Sequence, residues 1–183
     1  MRTRFVALGG SVLIALSGCS DGDPRPKALP PAQVVHPAAA SAGGACILWD
    51  FAEIEQRLGV RFNVAAAGQV DDTSTCVLQA DGASRPDLML AVVEQTPADP
   101  ELYHSELMPA GATKVTGLGR AAYRTVTDAA ADHGPVVEVG WLTRDSQLMT
   151  LRFTFGVDAR TAEAEAMSAR LLALAERMAA DDA

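Results

Sequence analysis

Three hydrophobic patterns follow one another along the chain. Residues 5–16 form an apolar run that is broken only by two glycines and a serine. Residues 20–44 contain five prolines and a stretch of Ala, Ser and Gly, with no apolar periodicity that a core could use. From residue 45 onward, apolar side chains recur at spacings of two, or of three and four, which are typical of strands and helices.

The first part of this last region predicts one helix and three strands. Asp50 is placed to cap a helix in which Ile54 and Leu58 share an apolar face, and Gly59 stands where a helix end prefers glycine. Alternating apolar positions predict the strands, and polar stretches between them predict the turns. The strands are expected at Val60–Ala66, around Cys76–Ala80 and at Asp87–Gln95, with turns at Gly68–Ser74 and Gly82–Pro86.

The second part predicts a short helix and four more strands. The helix is expected over Pro97–Met108, where Pro109 and Gly111 end it. Four runs rich in β-branched and aromatic residues follow, at Thr113–Leu118, Ala121–Thr127, Val136–Leu142 and Met149–Phe155. Because no crossover helix separates them, they favour antiparallel hairpins, and a meander is the simplest arrangement.

The last helix has the clearest pattern. It begins with Asp158 or Thr161 as its cap, and its apolar positions recur at helical spacing. These positions are Met167, Leu171, Leu174, Ala175 and Met178. The sequence therefore predicts an α+β fold: an antiparallel sheet of six to seven strands, with an N-terminal helix, a short middle helix and a long C-terminal helix packed on it.

The apolar run at the N-terminus has the features of an export signal. Arg2 and Arg4 precede it, and it is too short to span a bilayer of about 30 Å. It ends in Leu-Ser-Gly-Cys19, which resembles the lipobox of bacterial lipoproteins, so Cys19 is expected to carry a diacylglyceryl group and become the new N-terminus. A plain secretory signal peptide with a chance cysteine is the alternative. The expected division is a signal peptide at 1–18, a lipidated, extended tether at 19–44 and one globular domain at 45–183.

Composition and charge narrow the class of partner. A content of 49% apolar and 21% charged residues suits a globular domain, and the formal charge is −8. Removal of residues 1–18 takes away two arginines and no acid, which leaves 13 basic and 23 acidic side chains and a net charge of −10. This sign argues against nucleic acid as a partner. It also leaves the lipid, and no basic patch, to hold the protein at the outer face of the cell membrane.

Two cysteines remain in the domain, Cys46 and Cys76. In an exported protein such a pair is expected to form a disulfide bond. Two buried free thiols are an alternative, as is a metal pair, although no His or third Cys stands at ligand spacing.

A family resemblance rests on four features. Cys46 precedes an amphipathic helix that ends at Leu58–Gly59, Cys76-Val77-Leu78 follows, and Gly117–Tyr123 and a terminal helix rich in Ala and Leu come later. Together these features resemble the DUF3558 type of actinobacterial lipoprotein. The resemblance implies a small exported lipoprotein with a Pro/Ala-rich tether and paired cysteines. It implies no catalytic residues, because the function of that family is unknown.

Signatures of known catalytic sites are missing from the sequence. It has no Gly-x-Ser-x-Gly, Ser-x-x-Lys or His-Glu-x-x-His motif. Gly117-Leu118-Gly119 lacks the third glycine and the following helix of a phosphate loop, and predicts a tight turn. Asp128, Asp132 and His133 predict a solvated turn before Gly134, and Glu101 and His104 a surface pair.

The aromatic residues give a further expectation about surface and core. Trp141 lies in an apolar run and is expected in the core, whereas Trp49 and Tyr123 are the better candidates for a partly exposed surface.

The sequence thus favours a non-enzymatic module at the cell envelope, without a cofactor or a metal, that binds a lipid, a small ligand or an envelope protein. The alternative is an envelope hydrolase or metal-dependent enzyme whose site is assembled from remote residues such as Asp128, His133 and Glu138.

Overall fold

The computed structural model describes residues 37–181, which belong to one compact unit, Val35–Ala183. Cys19, the signal peptide and most of the predicted tether lie outside the described residues. The fold is α+β, as the sequence predicts, with seven antiparallel strands and three α-helices among the described residues.

The sheet consists of two meanders that meet at its centre. Its strand order is β1-β2-β3-β7-β6-β5-β4, and every neighbouring pair is antiparallel. The pairing of β3 with β7 joins the N-terminal meander to the C-terminal one, with Leu90 opposite Leu151. The strands are β1 (Val64–Val70), β2 (Thr73–Gln79), β3 (Asp87–Val93), β4 (Thr113–Val115), β5 (Ala121–Thr127), β6 (Val136–Leu142) and β7 (Leu148–Thr154).

The helices are α1 (Phe51–Leu58), α2 (Pro100–Leu102), which continues as a π-helical turn over Tyr103–Leu107, and α3 (Thr161–Asp181). Two short 3₁₀ helices, Ala39–Ala42 and Gly44–Leu48, precede α1.

Local sequence signals set the ends of α1. The Asp50 carboxylate accepts hydrogen bonds from the backbone N–H groups of Ala52 and Glu53, at 2.9 and 3.0 Å. Such a cap contributes about 1 kcal/mol to a helix. Gly59 follows Leu58 in the left-handed conformation, with φ of 71°. Both predicted signals are confirmed.

One face of the sheet carries the main core. Side chains alternate across the strands, so one set of positions points toward α1 and α3. Inner positions of β3, β7 and β6 are fully buried, and so are Leu171 and Ala175 of α3. The C-terminal helix therefore lies across this face, as its apolar stripe predicts. The inner strand positions include Leu88, Leu90, Leu151, Phe153, Val137, Val139 and Trp141.

The opposite face is only partly covered. The cover segment, residues 97–112, crosses the β5–β7 part of this face and builds a second, smaller core there. Tyr103 from the cover segment packs against Tyr123 of β5 with ring centroids 5.9 Å apart, and Leu142 of β6 joins them. Gly140 makes room for this packing, because a Cβ there would lie 2.5 Å from the Tyr123 ring.

The predicted disulfide between Cys46 and Cys76 is present, with Cα atoms 4.9 Å apart. It joins the second 3₁₀ helix to β2, and both cysteines are fully buried in the main core.

Four expectations about element boundaries were wrong. The first strand begins at Val64 and continues through the predicted turn, so that only Asp71 and Asp72 form the turn to β2. The predicted helix over Pro97–Met108 shrinks to α2 and its π-helical turn. The strand predicted over Thr113–Leu118 ends at Val115, because the chain turns at Gly117 with φ of 88°. Residues 39–44 of the predicted tether belong to the folded unit, since Ala39 is fully buried in the core.

The expectation for two aromatic residues also fails. Trp49 and Tyr123 are 4% and 6% exposed, so neither forms a surface. Tyr123 is hidden by the cover segment, which the strand pattern alone could not reveal. Trp141 is in the core, as expected.

Candidate functional site

The outer edge of β1 is the most unusual surface of the described residues. β1 pairs with β2 on one side only, so the backbone groups that point away from β2 have no strand partner. Six of its seven residues are exposed, and its sequence Val-Ala-Ala-Ala-Gly-Gln-Val contains no charge and no proline. Natural edge strands are normally blunted by such charges, by proline or by shortness, because an open edge is a template for another strand.

The uncovered part of the outer sheet face adjoins this edge. Val77 of β2 and Met89 of β3 point to it and are half-buried. Val70 at the end of β1 is 73% exposed. A strand that pairs with β1 would therefore extend an apolar surface as well as the backbone ladder.

Acidic residues mark one end of the β1 edge. Asp71 and Asp72 form the turn that follows Val70, and the backbone N–H of Glu94 donates to the Asp72 carbonyl at 3.0 Å. All three acidic residues are exposed. This end of the edge consequently attracts a cationic group at the matching end of a bound segment.

Within residues 37–181, no hydrogen bond or ion pair joins Asp128, His133 and Glu138, the candidates for an enzyme site. His133 Nδ1 lies 2.6 Å from the carbonyl oxygen of Gly134, and its Nε2 lies 3.9 Å from an Asp132 carboxylate oxygen. Asp128 is exposed, and Glu138 instead accepts a hydrogen bond from the Tyr123 hydroxyl at 2.6 Å. Within residues 37–181, no three His, Cys, Asp or Glu side chains are grouped so that they could hold a metal ion.

The two tyrosines of the smaller core are hydrogen-bonding groups that do not ionise near neutral pH. Burial raises the pKa of Tyr103 and of Tyr123, and the Glu138 carboxylate raises both further. The phenols therefore remain protonated, and the Tyr123 hydroxyl serves as a donor that anchors Glu138.

His104 lies in the cover segment, and the structure shows no ion pair between it and Glu101. Its ring is half-buried, and Nδ1 is shielded from solvent with no hydrogen-bond partner among the described residues. Burial lowers the pKa of His104, and Lys114 of β4 lowers it further. The expected surface pair at this position is therefore wrong.

Two of the concave surfaces at the end of the sheet where β3 and β6 finish reach buried core side chains, Val92 and Met149 in one and Trp141 in the other. One is a groove of about 410 Å³ beside the exposed Ile47 and Leu48. The other is a cleft of about 320 Å³, which we call the Trp141 cleft. It is bounded by the turn at 117–119, the β6–β7 turn and the last turns of α3.

Sequence reasoning missed the β1 edge because it predicted a turn at Gly68–Ser74. The signal that was available is the seven-residue run without a charge or proline between Asn63 and Asp71. No helix among residues 37–181 is long and apolar enough to cross a membrane. Comparison with protein-family models, curated proteins and solved structures gives no match for this chain.

Proposed function

We propose that the protein is a lipid-anchored envelope lipoprotein that binds an extended peptide segment of a partner protein by strand addition to β1. The observation that carries the proposal is the outer edge of β1, which is seven residues long, exposed and uncharged. In strand addition, main-chain hydrogen bonds supply affinity and alternate side chains supply specificity.

The edge is suited to a partner whose main chain is recognised more than its side chains. Alanine and glycine occupy four of the seven positions of β1, so an incoming backbone meets little steric obstruction. No backbone hydrogen bond from β1 to an element other than β2 is present in the described part of the chain. The two 3₁₀ helices contact β1, with Gly44 beside the Ala67 side chain, but they leave its outward backbone groups without a backbone hydrogen bond in this part of the structure.

The charge distribution indicates the chemistry of that strand. Its centre should be neutral, because β1 carries no charge that would pair with one. The end that lies beside Asp71 and Asp72 should carry Lys or Arg. We therefore expect an extended segment with apolar or small residues along one face and a basic residue at that end.

The anchor completes the proposal. Cys19 in its lipobox and the resemblance to DUF3558-type lipoproteins support a diacylated N-terminus, whose two acyl chains give stable membrane binding. Pro37 and Ala38, the first described residues, border a hollow with Val64 at the start of β1. The described part of the chain thus begins near the start of β1.

The test of strand addition compares two exposed valines. Peptides that bind the mature chain with Val70 intact are selected from a random library. Hydrogen exchange of the protein's backbone amides then maps where each peptide binds. We expect protection of β1 amides and at least a tenfold loss of affinity, about 1.4 kcal/mol, in Val70→Lys. Val157→Lys is the matched control, because Val157 is also exposed, at 58%, but lies outside the sheet.

Two results would overturn this assignment. Peptides that protect amides elsewhere, or that bind Val70→Lys as tightly as the parent, would place the site on another surface. A concentration-dependent dimer that protects β1 amides without any peptide would assign the edge to a second copy of the chain, and not to a partner protein.

The anchor has its own test. Cys19→Ala should move the protein from the membrane fraction to the soluble fraction, since it removes the thiol that would carry the diacylglyceryl group. Cys46→Ala, which removes a different cysteine, should leave the protein in the membrane fraction. Full membrane retention of Cys19→Ala would contradict the lipoprotein assignment.

A further inference from the structure

We infer that the Trp141 cleft binds a small zwitterionic ligand of the amino acid or dipeptide class. This site goes beyond the proposed strand addition, because it uses no residue of β1 and lies between β6, the turn at 117–119 and α3. The volume of the cleft, about 320 Å³, is at the lower end of the range of roughly 300–1,000 Å³ that ligand sites occupy.

A buried donor without an acceptor lies in the wall of the cleft. Trp141 is fully buried, and its Nε1–H has no hydrogen-bond partner among the described residues. Buried polar groups normally have partners, so an orphaned donor next to an open space calls for an acceptor from outside the protein. Trp141 borders the cleft, and a Cβ on Gly119 would lie 3.3 Å from its Cδ1, the atom bonded to Nε1, so this edge of the indole lies beside the turn at 117–119.

More donors gather on the same side. The backbone N–H groups of Gly117, Leu118 and Gly119 donate no hydrogen bond to any described residue. All three residues border the cleft, and so does Arg144, whose exposed guanidinium forms no ion pair within residues 37–181. Arg144 and the backbone amides together suit a carboxylate, since charge-assisted hydrogen bonds are the stronger ones.

The remaining wall of the cleft carries negative charge. Glu176 of α3 and Asp145 of the β6–β7 turn border the cleft, and neither forms an ion pair with another described residue. Ala179 and Ala180, from the last turns of α3, lie beside them. The C-terminal end of a helix carries a partial negative charge, so this wall favours a cation. A ligand that carries a carboxylate and an ammonium group matches both walls, and the cleft volume of about 320 Å³ limits its size.

The experiment follows the two indole N–H resonances of the mature chain by ¹H–¹⁵N NMR. The chain carries Cys19→Ala, which removes the lipid without changing any described residue. The probe is the dipeptide Ala-Ala. We expect a saturable shift of the Trp141 resonance, while the resonance of Trp49, buried away from the cleft lining, stays in place and serves as the internal control.

Blocked probes and variants separate the two charges. N-acetyl-Ala-Ala lacks the cation and Ala-Ala amide lacks the anion, and each should bind at least about tenfold more weakly than Ala-Ala. Arg144→Ala should weaken the binding of Ala-Ala by a similar factor. Arg124→Ala, which removes another exposed arginine, from β5, should not change it.

Three results would overturn the inference. They are the absence of a saturable Trp141 shift up to about 10 mM Ala-Ala, equal binding of the blocked dipeptides, and unchanged binding in Arg144→Ala. Because the readout does not involve β1, these results leave the strand-addition proposal as it stands, and failure of peptide binding at β1 leaves the cleft assignment as it stands.

Discussion

The two edges of the sheet differ in length, charge and surroundings. β4 has three residues, its central residue Lys114 is exposed, and the chain turns away at Gly117. β1 has seven residues without a charge, and it borders the uncovered part of the outer face. β4 therefore has two of the features by which proteins prevent edge-to-edge association, whereas β1 has neither of them. Since one edge of this chain is protected in the usual manner, the openness of the other is a property of β1 and not of the fold.

The same asymmetry extends to the outer face. Next to β4 and β5, the cover segment buries Tyr103, Tyr123 and Leu142. Next to β1 and β2, side chains such as Val77 remain half-buried without a helix above them. The cover segment stabilises the β4–β5 side, whereas the disulfide links β2 to the second 3₁₀ helix on the β1 side. Each side can therefore be destabilised separately.

The largest effect is expected from removing the disulfide on the β1 side. Cys46→Ser with Cys76→Ser opens a loop with a sequence separation of 30 residues, which should lower the free energy of unfolding by about 3–4 kcal/mol. Urea unfolding measures the loss, and hydrogen exchange should show faster opening of β1 and β2 than of β5 and β6. Ser41→Ala, an exposed change in the same region, is the control. An unchanged unfolding midpoint in the double variant would contradict this role of the bond.

An intermediate effect is expected on the covered side. Gly140→Ala places a Cβ 2.5 Å from the Tyr123 ring and should destabilise the protein by about 1–3 kcal/mol through overpacking. Gly156→Ala is the matched control, because a Cβ there meets nothing within 4 Å. Thermal unfolding compares the two variants, and hydrogen exchange should place the damage of Gly140→Ala at β5 and the cover segment. Equal stability of the two variants would mean that Tyr123 does not require the space at Gly140.

The smallest expected effect is a pH dependence of the protein's stability that arises on the covered side. Burial and Lys114 lower the pKa of His104 in the folded protein below its ordinary value of 6.5. The unfolded chain therefore takes up this proton first, so this contribution to stability is complete above about pH 6.5 and is lost as the pH falls below it. His104→Gln should reduce the decrease in urea midpoint between about pH 7.5 and pH 5.5, and Lys114→Gln should reduce it partly. The same pH dependence in His104→Gln and in the parent would assign the effect to other groups.

Sequence reasoning succeeded where one residue determines a local structure. Asp50 and Gly59 set the ends of α1, and the strict alternation of Leu88, Leu90 and Val92 marks β3. The apolar spacing of α3 predicts both its extent and the face that it buries. The disulfide followed from the expected export of the chain and from the pairing of its two remaining cysteines.

The sequence-based predictions fail where tertiary contacts determine whether a strand forms or a side chain is buried. The Ala- and Gly-rich β1 has too weak an alternation to be recognised as a strand, and it exists because it pairs with β2. The burial of Tyr123 depends on the cover segment, because Tyr103, 20 residues earlier in the chain, packs against the Tyr123 ring. The Trp141 cleft is assembled from three elements that are remote along the chain. Of these, only the turn at 117–119 has a sequence signal, and that signal predicts a tight turn rather than a site.

The pairing of β3 with β7 has a consequence for how the chain folds. Every other pair of neighbouring strands is adjacent in sequence, so each hairpin closes over a short span, but β3 must wait for the last strand. During synthesis, the edge of β3 that pairs with β7 therefore stays exposed until β7, Leu148–Thr154, has been made. We expect folding to be slow, and aggregation to be most favoured before β7 pairs with β3.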